Sequence, residues 1–229
     1  MTTAAASLHV PSLVDVLYTA TRDRILTGEL PAGSPLTEME VATLYSVARP
    51  TAKAAMERLV YDGLLRRASN KTARVPEMGV DDIRDLYFSR GLLEREVMVE
   101  LARRKHVPEA ARRSLRAMRE AGRDSAVIKV VGLDIEFHHA LVEAVGSPRL
   151  DRLYRPLMGE VQLSMAQVRV TQPLSPSRIA REHSLVLKAI EAGDVDQVTA
   201  AINHHIEHAC TRLIGGHLSN RESAASQAR

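Results

Sequence analysis

Tryptophan is absent, and aromatic residues fill only 3 % of the 229 positions. A core must therefore be aliphatic, built from Leu, Val, Ile, Ala and Met. Cysteine is nearly missing as well, with Cys210 standing alone. That excludes an intrachain disulfide and any cysteine-built metal cluster, and a reduced, cytoplasmic setting is expected. No apolar run approaches the ~18 residues of a membrane helix. The opening stretch, Met1 to Leu13, lacks the basic-then-apolar order of a signal peptide. No Gly-rich phosphate loop occurs. What is present is ordinary for a globular protein, 45 % hydrophobic and 26 % charged, and long enough for one large domain or two modest ones.

The net charge is only +3, but it is unevenly spread. Between Arg49 and Val75 lie the cations Arg49, Lys53, Arg58, Arg66, Arg67, Lys71 and Arg74, against the anions Glu57 and Asp62. Such a local basic block suits a polyanion, although a solvated basic face would look the same on charge alone.

Periodicity divides the chain. Residues 1–10 are small and polar and are expected to be disordered. Leu13 to Thr27 follows a helical period, with Gly28 as its stop. Thr37 and Glu40 have capping-box spacing, so a short helix should run to Tyr45. Arg49 to Asp62 forms the next, with Met56, Leu59 and Val60 as its apolar side and Gly63 ending it. Residues 64–68 and 72–75 predict two short strands around a tight turn at Asn70. Residues 11–76 thus make a winged helix-turn-helix with a two-stranded wing, and 77–80 a linker. Residues 81–218 predict an all-α antiparallel bundle of helices at 81–105, 108–122, 126–145, 149–170, 176–192 and 194–214. Residues 219–229 are expected to be a disordered tail.

In a winged helix the third helix enters the major groove. Arg49, Thr51 and Lys53 lie at its front, and Arg67, Lys71 and Arg74 on the hairpin would grip the neighbouring backbone or minor groove. The gapless stretch Leu36 to Leu65, with Val47-Ala48-Arg49-Pro50-Thr51 and Leu59-Val60-Tyr61-Asp62-Gly63-Leu64, resembles the DNA-binding domain of the GntR family of regulators. The resemblance implies that Arg49 and Lys53 contact a double-stranded DNA operator and that Thr51 lies at the interface. Three departures stand out. Ala48 replaces the usual Ser or Thr, Met39 replaces a frequent cation, and Asn70 takes the place of the wing glycine.

In the second half, Asp134 and His138 are four apart and share one helix face. His183 lies in the stripe Ile179, Val186, Ile190, and His205 in the stripe Val198, Ile202, Ala209, Leu213. Buried charge is costly unless paired. A divalent cation would resolve it, since carboxylate and imidazole suit Zn, Ni, Mn or Fe, and helical bundles build such sites from facing helices. Separately hydrogen-bonded histidines are the plainer alternative. His139, His204 and His208 are turned off the apolar faces and should meet solvent. Arg90 interrupts the stripe Ile83, Leu86, Leu93, Val97. Its fork suits a carboxylate, and an internal pair with Glu94 would serve equally.

Asp134-x-x-x-His138, then Glu182-His183, then His205-Ile206, resemble the FCD effector domain of the FadR-type branch of that family, over roughly Val80 to Leu213. The resemblance implies metal ligands at Asp134, His138, His183 and His205, with the metal structural or holding a carboxylate effector. It implies a place for Arg90 in the effector cavity, and a homodimer. The whole then reads as a repressor controlled by a small organic acid beside a divalent metal (Zn, Ni or Mn), with no catalytic residues. A metal-responsive repressor, a metalloenzyme and a ligand-free architectural DNA protein are the competing readings. Against the enzyme stands the lack of a further general base or nucleophile at a recognisable spacing.

Overall fold

The computed structural model describes residues 11–68, 72–121, 127–168 and 175–227. The chain divides after Pro76 into two compact units.

The first unit holds α1 (Leu13–Leu26), β1 (Pro35–Leu36), α2 (Glu38–Leu44), α3 (Arg49–Tyr61) and β2 (Ala73–Arg74). Two capping boxes start its helices. The Ser12 side chain accepts from Asp15 N while Asp15 reaches back, and Thr37 and Glu40 do the same for α2. Each satisfies amide donors that a helix start leaves unpaired. Helices α1 and α2 both pack on α3, and Leu17, Ile25, Val41, Ala52, Met56 and Leu59 close the core between them. Truncating Met56 or Leu59 there would cost about 2–5 kcal/mol. Leu13 and Val16 are exposed, because the helix turns Leu17, Thr21 and Ile25 inward instead.

The wing differs in detail from the sequence expectation. Arg66 and Arg74 exchange backbone hydrogen bonds of 2.8 and 2.9 Å, which form a single bridge. The regular pairing lies on the other side, where Ala73–Arg74 runs antiparallel to Pro35–Leu36. Ala73 is fully buried beneath it. The segment before α2 therefore becomes a strand, since β2 offers it free backbone groups. The turn expected at Asn70, and with it Lys71, lies outside the described residues.

The second unit holds α4 (Val80–Arg104), α5 (Glu109–Glu120), α6 (Val127–Glu143), α7 (Pro148–Gln167), α8 (Pro176–Ala192) and α9 (Val195–Gln227). Helix α9 lies against α4 and α8, and α6 lies against α5 and α7. The breaks are chemically explicit. Gly193 takes φ 76° at the end of α8, as a left-handed C-terminal residue should, and Pro108 and Pro148 flank helix starts. The tail expected to be disordered from 219 is instead helical to Gln227. No Gly or Pro interrupts that stretch, and Arg, Glu, Ala and Gln are good helix formers. The expected linker at 77–80 is one residue shorter, because Val80 already begins α4. Among the described residues no helix is long and apolar enough to cross a membrane.

Candidate metal centre

Four helices each contribute to one polar pocket inside the second unit. Helix α4 supplies Arg90 and Glu94, α6 supplies Asp134 and His138, α8 supplies His183, and α9 supplies His205. All six are buried in an aliphatic interior, with Arg90, Glu94, His138 and His183 fully so. One ligand atom each from Asp134, His138, His183 and His205 falls within 4.8 Å of the others. His138 Nε2 and His205 Nε2 are 3.0 Å apart. His183 Nε2 is 3.2 Å from Asp134 Oδ1, and His138 Nε2 is 3.8 Å from the same oxygen. Phe137 stacks flat on His183 at 3.8 Å between centroids and fixes that ring.

The outer nitrogens decide the protonation pattern. His138 Nδ1 lies 2.7 Å from Glu94 Oε2, and His205 Nδ1 lies 2.9 Å from Glu182 Oε2. An imidazole lone pair would be repelled by a carboxylate at that range, so each Nδ1 carries the proton. Both Nε2 lone pairs are then turned toward each other and toward Asp134. Burial favours neutral rings, pushing His183 down to about 3 and His205 down as well. For Asp134 burial acts the other way, but the His183 hydrogen bond, with Arg90 among its other neighbours, outweighs it and holds the carboxyl below the usual range. An ionised carboxylate and three imidazoles thus converge on one point, and the Nε2 lone pairs of His138 and His205 face each other there with no hydrogen between them. Those residues fit a divalent cation.

Behind the donors lies a second layer. Glu94 Oε1 accepts from Tyr154 Oη at 2.6 Å and from Arg90 Nε at 2.5 Å. Burial would raise Glu94, but Arg90 and then His138 overcome it and hold it ionised. Glu182 is buried as well and sits at about 2, since its desolvation is outweighed by the His205 hydrogen bond together with Arg212 and His208. Arg90 thus makes the internal pair with Glu94, yet through Nε alone. Its Nη1 and Nη2, and the Tyr87 hydroxyl nearby, are buried with no hydrogen-bond partner among the described residues. A cleft lined by Asp134, His205, Met165 and Ile179 reaches this centre with about 10 Å³ of space, room for a single water. A larger groove of about 480 Å³ runs over α5, α6 and α7 and touches none of the four donors.

Sequence reasoning missed Tyr87, Tyr154 and the part played by Glu182. Tyr87 and Glu94 flank Arg90 at helical spacing, which is a usable signal. Tyr154 and Glu182 reach the site from other helices and leave no such trace. Of the off-face histidines, His204 is exposed, but His139 is half-buried 3.3 Å from Asp151, and His208 leans on Glu182 at 3.5 Å.

On the first unit, Arg49 and Lys53 project from the front of α3 and are 68 % and 56 % exposed, while Thr51 is half-buried. Arg49 and Arg67 both lean on Glu38, at 3.3 and 3.5 Å. Arg74 is exposed and donates to Gly33 O at 2.9 Å. Ser46 takes φ 52° in the tight turn that joins α2 to α3.

A helix-turn-helix head with a wing, joined to a helical body, defines a DNA-binding transcriptional regulator and not an enzyme. The family models agree: residues 13–75 match "Bacterial regulatory proteins, gntR family" and residues 85–208 match the FCD domain. The chain belongs to the GntR family of regulators, in the group that carries an FCD domain. It is 29 % identical over 185 residues, 80 % of each chain, to the probable D-xylose utilization operon transcriptional repressor of Paenarthrobacter nicotinovorans. It is 24 % identical over 200 residues to the transcriptional repressor NanR of Cronobacter sakazakii, covering 78 % of this chain and 76 % of that one. In fold it is similar to a GntR regulator from Rhodococcus sp. RHA1, with TM-score 0.74 and 22 % identity over 90 % of this chain and 99 % of that one.

Proposed function

We propose that the protein is a cytoplasmic, homodimeric repressor whose hold on a double-stranded operator is controlled by a small carboxylic acid bound beside a divalent metal, Zn, Ni or Mn. Asp134, His138, His183 and His205 would hold the metal. It would supply positive charge and open coordination positions. Arg90 would take the carboxylate through Nη1 and Nη2.

One observation carries the reading: Arg90 keeps two terminal nitrogens buried and unpartnered in the same interior as four converging metal-type donors. A buried guanidinium left half-satisfied is costly, and a forked acceptor removes that cost. Two of the relatives are themselves named repressors. On the head, Arg49, Thr51 and Lys53 would read the major groove, while Arg67, Lys71 and Arg74 would hold the backbone.

The narrowness of the cleft, about 10 Å³, favours one other reading. The ion itself would be the signal, with a water as its remaining ligand. Operator binding by mobility shift separates the two, using chelator-stripped protein, protein with zinc, and protein with zinc plus a panel of small carboxylic acids. The acid reading expects release only in the third condition. Release by zinc alone establishes the ion as signal, and identical binding in all three ends both readings.

A further inference from the structure

Outside the buried pocket, a second group of donors converges at the surface between α8 and α9. One ligand atom each from Glu182, His204 and His208 lies within 4.8 Å of the others. His204 and His208 are one turn apart on α9, with ring centroids 3.8 Å apart. Glu182 is 8 % exposed and faces them from α8. Two imidazoles at i and i+4 with a carboxylate opposite are a common way to hold a borderline divalent cation.

A second, independent feature shows that a cation is accepted here. The Arg178 guanidinium already occupies the cluster, with Nε 3.3 Å from Glu182 Oε1 and Nη2 3.1 Å from His208 Nδ1. A guanidinium has no acceptor, so in the tautomer that pairs with Arg178 the His208 Nδ1 lone pair faces it. The protein therefore presents a carboxylate oxygen and an imidazole nitrogen to a positive charge that is itself half exposed.

We propose that Glu182, His204 and His208 form an outer divalent-cation site, of Zn²⁺, Ni²⁺ or Cu²⁺ type, that Arg178 guards as an internal competitor. The site is distinct from the buried pocket yet shares a carboxylate with it. Glu182 Oε2 orients His205 while Oε1 faces His208 at 3.5 Å. Filling one site therefore alters the other, and by linkage the influence is mutual. Arg178, with Arg212 acting on the same carboxylate, makes the outer site the weaker one.

The test counts zinc bound to the full chain after chelator stripping and dialysis at graded free zinc. His204→Gln with His208→Gln, both at the surface, should remove one weak equivalent and leave any tighter one. That weak equivalent should persist in Asp134→Asn with His183→Gln. Arg178→Gln should tighten it, by up to about fivefold, the range of an exposed ion pair. A wild-type chain that binds one zinc only, lost on changing His204 and His208, upholds this site and overturns the buried one. Equal zinc counts for wild type and the His204/His208 variant at every concentration overturn the outer site.

Discussion

His138 Nδ1 and Glu94 Oε2 stand 2.7 Å apart, both with no exposure to solvent. Glu94 is in turn gripped by Arg90 and Tyr154, so the orientation of a proposed metal ligand depends on the residue proposed to meet the effector. A carboxylate behind a ligating imidazole raises its basicity and fixes its tautomer. Glu94→Gln is expected to weaken zinc binding by about 10–100-fold. It should also destabilise the domain by roughly 3–5 kcal/mol, since Arg90 loses its counter-charge. Competition with a coloured chelator reads the first effect and urea melts the second. Unchanged zinc affinity would break the link between Glu94 and the centre.

Arg90→Lys separates pairing from recognition. Lysine keeps a charge for Glu94 but lacks the planar fork. Zinc loading should survive, while affinity for any acid that binds the wild type should fall by about 10–100-fold, the equivalent of a lost hydrogen bond to a charged group. Calorimetry with zinc-loaded protein checks this, and full acid affinity in the variant would remove Arg90 from the site.

The helices of the second unit were legible because aliphatic stripes recur at helical spacing and Pro or Gly punctuates them. The Asp134–His138 pair was legible for the same reason. His183 and His205 were visible as polar interruptions of apolar stripes. Glu94's grip on His138 was not, because it crosses from α4 to α6 and depends on how the helices pack. The pairing of Pro35–Leu36 with Ala73–Arg74 escaped too, since two residues carry no alternation. The helical run past Leu218 was hidden by its polarity, which resembles a tail when no partner face is considered.

On the head, Arg49 and Lys53 make separable predictions. Arg49→Ala should cost about 1–3 kcal/mol of operator binding if the side chain meets a base edge, and should relax specificity at that position. Lys53→Ala should do the same if Lys53 reads a base; if it meets phosphate only, it should weaken all sequences alike and lower the salt slope by about 1. Anisotropy titrations at several salt concentrations, on operator and on unrelated DNA, read both. Wild-type affinity for both variants would remove α3 from the groove.

Acid should loosen the same head. Hydrogen bonds from the Ser12 side chain and backbone, then Arg58, hold Asp15 below its ordinary value, and those from the Thr37 side chain and backbone hold Glu40 below its own. A depressed carboxyl stabilises the fold above its unfolded pKa and stops doing so as pH falls through the folded one. The melting temperature of the head is therefore expected to fall below about pH 4.5. Asp15→Asn with Glu40→Gln should start lower and flatten that slope, as followed by circular dichroism. An equally steep slope in the variant would place the acid sensitivity elsewhere.

Helix α3 is preceded by Ala48, whose φ −66° and ψ 142° are those of a capping residue but whose methyl caps nothing. Arg49, next in line, is the best exposed of the proposed base-reading groups. A serine fits the same backbone and can accept from the Thr51 amide, Pro50 having no N–H to give, which is worth about 1 kcal/mol. Ala48→Ser is therefore expected to stabilise the head by that amount in urea melts. Its hydroxyl would also stand beside the groove-facing end of α3, where helix amides favour phosphate. If that end meets the duplex, operator affinity should rise several-fold along with stability. Added stability with no gain in affinity would mean that the cap forms but the start of α3 stands clear of the DNA backbone.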